Sequence, residues 1–243
     1  MKKESKVLVI IPAYNEEDNI QKVINEVKKD IKYADVLVIN DCSTDNTLKI
    51  LEENQINHVS NVFNMKYALS IQTGIRYAFY NDYDYVIQMD ADGQHIAKEA
   101  AKLYERCKKG DVDIVIGSRY LVDTGYPCPF FRKVGTKLFS IMIRVLCRKK
   151  IADPLSGFQC INKKVIKRYS KLGGYPPEYP DANLVIEMLM EGYKIAEVPV
   201  KMRLRETGES MHGGIIKPIK YMVGMFYACI VIFIKNVGKK LVK

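Results

Sequence analysis

Short apolar runs recur through the first half of the chain, and each is closed by residues that end strands or open helices. Residues 6–11 (KVLVII) are almost wholly apolar and are stopped by Pro12, as expected of a strand buried on both faces. Residues 35–40, 58–63, 85–89 and 113–116 repeat the pattern. Between them, helical periodicity runs over residues 19–29, 48–53 and about 67–80. The acids after Pro12 suit a helix N-terminus, and the stretch from Asp41 to Thr47 supplies cap residues for the second helix. Strands alternating with helices in this way predict βαβ units, hence an α/β domain with a largely parallel sheet flanked by helices. In such sheets ligands bind beyond the strand C-termini, which is where Asn15, Asp41, Asp90 and Asp92 fall.

After Gly117-Ser-Arg119-Tyr the pattern changes. A Gly- and Pro-containing loop over residues 122–131 leads into a predicted helix over about 132–149. On a helical projection Lys133, Lys137, Arg144 and Arg148 fall within a roughly 60° stripe. Val134, Leu138, Ile141, Met142 and Val145 occupy the next sector. This is either a core-packed helix with a solvated face or a helix lying on an anionic membrane. The last segment, 217–243, is set apart from a domain of residues 1–216. Its residues 221–234 carry no charge, and as a helix they span roughly 21 Å, short of a bilayer's hydrocarbon core. An interfacial or partly inserted anchor with the basic tail Lys235, Lys239, Lys240 and Lys243 is one reading. Burial against the core, in a homo-oligomer or against a small membrane-protein partner is the other.

Composition sharpens this. The net charge of +10 is uneven: residues 132–171 hold twelve basic side chains against Asp153 alone, and residues 217–243 hold six and no acid. Such segregation points to an anionic partner, nucleic acid or membrane. No base-stacking motif accompanies it, so nucleic acid is excluded. Six widely spaced cysteines without a Cys-x-x-Cys pair argue against zinc and against a disulfide framework. With no signal peptide in the first residues, a cytoplasmic protein, peripheral on the inner face of the cell membrane, is expected.

The chemistry centres on Val86-Ile-Gln-Met-Asp90-Ala-Asp92-Gly-Gln94-His95. A buried run ending in two carboxylates is either an exposed Asp-Gly turn or a pair sharing a hard divalent cation that substrate phosphates complete.

With these pieces in order, the sequence resembles family 2 glycosyltransferases of the GT-A fold, a Rossmann-like nucleotide-diphospho-sugar transferase plan. It is most similar to the branch containing dolichol-phosphate mannose synthase and bacterial polyprenyl-phosphate glycosyltransferases. The resemblance rests on Pro12-Ala-Tyr-Asn-Glu16, Asn40-Asp-Cys-Ser-Thr-Asp45, residues 64–74, Asp90-Ala-Asp-Gly-Gln-His95 and Gly117-Ser-Arg119. It continues through Asp153-Pro-Leu-Ser-Gly-Phe158, Glu197-Val-Pro199 and Arg205-x-x-Gly208-x-Ser210. It implies that Pro12, Ala13, Tyr14, Glu16, Asp41, Asp90 and Ala91 line the nucleotide pocket. Asp90, Asp92 and Gln94 would hold Mg²⁺ or Mn²⁺, Arg119 and Arg205 would bind phosphate, and Arg132 and Thr136 would contact the acceptor phosphate. Asn40 and Cys42 stand where the family usually has Asp and Gly, and Lys66 and Ala68 where it has two glycines.

The implied activity is inverting, metal-dependent transfer of a sugar from a UDP- or dTDP-linked donor to a polyprenyl phosphate. The alternative is transfer of a hexose or rhamnose to a lipid-linked saccharide or cell-envelope polysaccharide. A hydroxyl acceptor needs a base, for which Asp181 is the candidate, and Asp181 also reads as a simple helix cap. A phosphate acceptor needs none, and Asp153 would then orient. Glu187 is a weaker candidate, His95 is expected to orient its loop, and His58 and His212 lack an evident partner. A sugar nucleotidyltransferase would need a basic glycine-rich loop after the first strand. A non-catalytic binding protein would leave Asp90, Asp92 and Gln94 idle.

Overall fold

The computed structural model describes residues 5–122, 130–204 and 216–241, and the side chains of all of these except 130–132, 216–218 and 239–241. Arg205, Gly208, Ser210 and His212 lie outside the described residues, as does the side chain of Arg132.

Seven strands form one mixed sheet. In chain order they are β1 (Val7–Ala13), β2 (Ala34–Asn40), β3 (His58–Ser60), β4 (Tyr85–Gln88), β5 (Ile114–Ser118), β6 (Gln159–Asn162) and β7 (Ile195–Pro199). They lie in the order β3-β2-β1-β4-β6-β5-β7. β6 runs antiparallel to both β4 and β5, while every other pairing is parallel. The reversal brings the loop before β6 to the edge where β4 and β5 end, so Asp153 arrives beside Arg119.

The eight helices among the described residues are α1 (Ile20–Asp30), α2 (Thr47–Glu53), α3 (Lys66–Tyr80), α4 (Ala97–Cys107), α5 (Phe130–Cys147), α6 (Lys163–Tyr169), α7 (Ala182–Met190) and α8 (Ile216–Leu241). Side-chain alternation along β1 divides the core in two. Leu8 and Ile10 join α3, α6 and α7 on one face, and Val7, Val9 and Ile11 join α1 and α4 on the other. Helix α3 lies so close to the sheet that a Cβ on Gly74 would fall 2.5 Å from Ile10 Cγ2.

Four elements fall outside the sequence expectation: α4, β6, α6 and β7. One local expectation is corrected and one is met. Glu16 and Glu17 precede α1 instead of entering it, and the first turn of α1 holds no acid. Glu16 turns the chain instead, its carbonyl accepting from the Ile20 amide at 2.9 Å. The cap of α2 comes from Asp45, whose Oδ1 accepts from the Thr47 amide at 2.9 Å, and no side-chain cap bond comes from the N-cap residue Asn46.

The basic helix is seated differently from its sequence projection. α5 buries Gly135, Thr136, Phe139 and Ile143, leaving Val134, Leu138, Ile141 and Val145 exposed beside Lys133, Lys137, Arg144 and Arg148. The C-terminal helix is also longer than its charge-free core. At 26 residues α8 extends roughly 39 Å, because lysines continue the helix past the apolar run. It packs on α7 through the spaced set Tyr221, Met225 and Cys229, while Val223, Tyr227, Ile230, Val231 and Ile234 face outward. Its stretch Ile219–Gly238 is long and apolar enough to cross a membrane by length and composition, with a mean hydropathy of 1.6.

Candidate active site

The loops leaving β1 and β2 are laced together. The Asn15 amide donates to Ser43 Oγ at 3.1 Å, and Asn15 Oδ1 accepts from the Thr44 amide at 2.8 Å. Glu16 donates its amide to Thr47 Oγ1 at 2.9 Å, and its Oε2 accepts from Asn19 Nδ2 at 3.0 Å. Asn15 and Cys42 hold φ of 55° and 60°, a left-handed geometry that disfavours most side chains. Pro12 and Glu16 are partly buried, Ala13 is buried and Tyr14 presents its ring to solvent. Asp41 is buried, and its Oδ1 accepts from Asn61 Nδ2 and the Met65 amide, both at 2.8 Å. The carboxylate therefore fastens the β3–α3 loop through Oδ1.

At the end of β4, Asp90 and Asp92 flank the buried Ala91, and both are partly exposed. Asp92 Oδ1 accepts from the Gln94 amide at 3.0 Å, a tight turn that Gly93 completes at φ 76°. The Gln94 side chain reaches the Arg203 carbonyl at 3.4 Å. Asp90 donates its amide to His95 Nδ1 at 2.9 Å, and Oδ1 accepts from Tyr67 Oη at 3.0 Å. His95 stacks on Phe158 with centroids 4.3 Å apart. Burial pushes its imidazole down to about 4, so it stays neutral and braces the loop. His58 has a partner after all, its Nδ1 lying 2.8 Å from the Ile56 carbonyl.

The donor set fits a hard cation. Among the described residues no three His, Cys, Asp or Glu groups cluster as a complete cage. Asp90 and Asp92 would supply at most one or two carboxylates to such a cation, as in Mg²⁺ and Mn²⁺ sites that substrate phosphates complete.

Across the crevice Arg119 and Asp153 form a buried fork. Arg119 Nε and Nη2 donate to Asp153 at 2.7 and 2.8 Å, and the Arg119 amide adds a third bond at 3.0 Å. Asp153 is fully buried. Its backbone is held by Glu197, whose carboxylate accepts from the Ala152 and Asp153 amides at 2.7 and 2.8 Å. Burial raises the Glu197 carboxyl above its usual range.

Asp181 precedes α7 but makes no side-chain cap bond; its Oδ2 instead accepts from Tyr221 Oη on α8. Burial lifts its carboxyl to about 6; the Tyr221 bond and the Arg119 charge pull it down, and Asp90 and Asp153 push it up. Arg119, Asp90 and Asp153 thus lie near enough to Asp181 for their charges to act on its carboxyl. Glu187 is elsewhere, paired with Arg168 at 3.2 Å. Thr136 is buried within the helix packing, and Lys66 is an exposed helix start at φ 67°. Sequence reasoning assigned nothing to Tyr67, Tyr221 or Glu197. Tyr67 and Glu197 left a signal only as parts of residues 64–74 and of Glu197-Val-Pro199, and Tyr221 left none.

A mixed, mostly parallel sheet with carboxylates and a buried arginine at its C-terminal edge is the architecture of GT-A nucleotide-diphospho-sugar transferases. The chain belongs to glycosyl transferase family 2, whose model matches residues 8–170, and it is an enzyme of glycosyl transfer. It is 30% identical over 213 residues to a dolichol-phosphate mannosyltransferase of Pyrococcus furiosus, covering 84% of this chain and 58% of that one. The chain thus spans little more than half of that relative. It is 26% identical over 217 residues to a polyprenol monophosphomannose synthase of Mycolicibacterium smegmatis, covering 86% and 82%. In structure it is similar to glucosyl-3-phosphoglycerate synthase from Mycobacterium tuberculosis in complex with Mn²⁺, uridine diphosphate and glucosyl-3-phosphoglycerate. The TM-score is 0.66 at 16% identity, over 96% of this chain and 80% of that one.

Proposed function

We propose that the chain transfers a sugar, with inversion, from a UDP- or dTDP-linked donor to a polyprenyl phosphate at the cytoplasmic face of a membrane. The observation that carries this reading is the bond from Tyr221 to Asp181. It ties the polar crevice to an outward-facing apolar helix, so a greasy acceptor lying along α8 and α5 would bring its head group to the site. The exposed basic and apolar faces of α5 extend the same surface toward anionic lipid. The names of the two relatives, each a lipid-phosphate mannose enzyme, support the acceptor class.

On the donor side, Asp41 would offer the base one oxygen, Oδ1 being engaged by the β3–α3 loop. That suits the single ring N–H of uracil or thymine, whereas guanine presents two adjacent donors to a carboxylate. Glu16 and Tyr14 would contact ribose and base. Asp90, Asp92 and Gln94 would hold Mg²⁺ or Mn²⁺, which neutralises charge building on the leaving diphosphate. Arg119, fixed by Asp153, directs a guanidinium charge toward the phosphates. On the opposite side, a phosphate oxygen of the acceptor displaces the nucleoside diphosphate from the anomeric carbon. A phosphomonoester loses its second proton near pH ~6. At neutral pH the acceptor is therefore already mostly dianionic, and the displacement does not require Asp181 as a general base.

A product assay decides between acceptors. Radiolabelled sugar transferred to undecaprenyl phosphate should be released by mild acid as the free monosaccharide. A product that survives mild acid is a glycoside and would favour transfer to a lipid-linked saccharide. A retained anomeric configuration would refute single displacement.

A further inference from the structure

Tyr67 is the second residue of α3, placed by the left-handed turn at Lys66. Its ring passes over Gly157 in the loop before β6, where an added Cβ would lie 2.7 Å from Tyr67 Oη and 3.7 Å from Cζ. The hydroxyl donates to Asp90 Oδ1 at 3.0 Å. From the other side the neutral His95 accepts the Asp90 amide at 2.9 Å, and its Nε2 lies 3.7 Å from Asp90 Oδ2. Asp90 is therefore gripped at both its backbone and its carboxylate. Burial and the negative charges of Asp90 and Asp181 raise the Tyr67 phenol well above its usual value, so it remains a proton donor.

We propose that Tyr67 is a positioning residue for Asp90. Its hydroxyl fixes the carboxylate in one orientation toward the nucleoside diphosphate and its divalent cation, in a gap that exists because residue 157 is glycine. The proposal rests on the reading of Asp90 as part of the donor site, and the test separates the two.

Binding of UDP in the presence of Mn²⁺ is measured by calorimetry for wild type, Tyr67→Phe, Gly157→Ala, the double variant and Asp90→Asn. Tyr67→Phe should weaken binding about tenfold, the scale of one lost hydrogen bond to a charged group. In turnover the loss should fall on the donor KM more than on kcat. Gly157→Ala keeps the hydroxyl but displaces it, and should weaken binding alike. In the Tyr67→Phe background the same alanine should add nothing, because the atom it would strike is gone. If Asp90→Asn loses binding while Tyr67→Phe does not, the proposal is overturned and the donor site stands. If the alanine costs as much in both backgrounds, the proposal is likewise overturned. Wild-type affinity in Asp90→Asn, or uptake of neither UDP nor, in the same assay, dTDP by wild type, would overturn both readings.

Discussion

Single side chains in the crevice make opposed demands. Arg119 and Asp153 are mutually satisfied by three bonds, so removing either leaves a charge stranded in the core. Asp153→Ala should cost about 3–5 kcal/mol in urea denaturation. Asp181 behaves in the opposite sense. Its carboxyl is raised from 3.8 to about 6, so between those values the folded protein binds more of this proton than the unfolded chain does. Its contribution to stability therefore falls as pH rises through that window. The Asp181→Asn variant should match wild type below about pH 4 and gain on it up to about pH 6, with a constant gap above. A gap that widens on acidification would contradict this assignment. In turnover, the same variant should lose far less than the 10²–10⁴-fold expected of a general base if the acceptor is a phosphate.

At the scale of elements, α5 and α8 expose apolar rows that a soluble core would have covered. Because Ile141 and Val145 are exposed, replacing both with Glu should change thermal stability little. The same double variant should release the protein from anionic liposomes in flotation assays, and unchanged flotation would remove α5 from the membrane reading. Removing residues 218–243 should abolish liposome binding; persistence of binding would discard α8 as an anchor. That cut also removes Tyr221, so the pH response of the shortened chain must be compared with that of Tyr221→Phe.

For the molecule as a whole, the concentration of basic charge in residues 132–171 and 217–243 against an acidic remainder predicts association with anionic vesicles that weakens with added salt, as screening requires. How much of this was legible depended on what the sequence pattern reports. The first five strands and the placement of Asp41, Asp90 and Asp92 were readable because a buried parallel strand is an apolar run and its ligand edge follows from topology. β6 and β7 were not, since Gln-Cys-Ile-Asn and Ile-Ala-Glu-Val-Pro are too short and too polar to stand out. The α5 projection found both stripes but not which sector faces the core, because periodicity gives spacing without a partner. The family's glycines at the positions of Cys42 and Lys66 acquire a reason in the φ values of 60° and 67°. Tyr67, Tyr221 and Glu197 act across long sequence separations, and the short patterns around Tyr67 and Glu197 do not say which partner each holds.

The place of β6 between β4 and β5 also orders events during synthesis. When β5 leaves the ribosome it has no neighbour to pair with, since its inner partner is made some forty residues later and its outer one later still. The first four strands can assemble as they emerge, whereas Arg119 must wait for Asp153 to be translated before its charge is answered. Nascent chains arrested before residue 159 should therefore protect β1 and β2 from hydrogen exchange and leave β5 open.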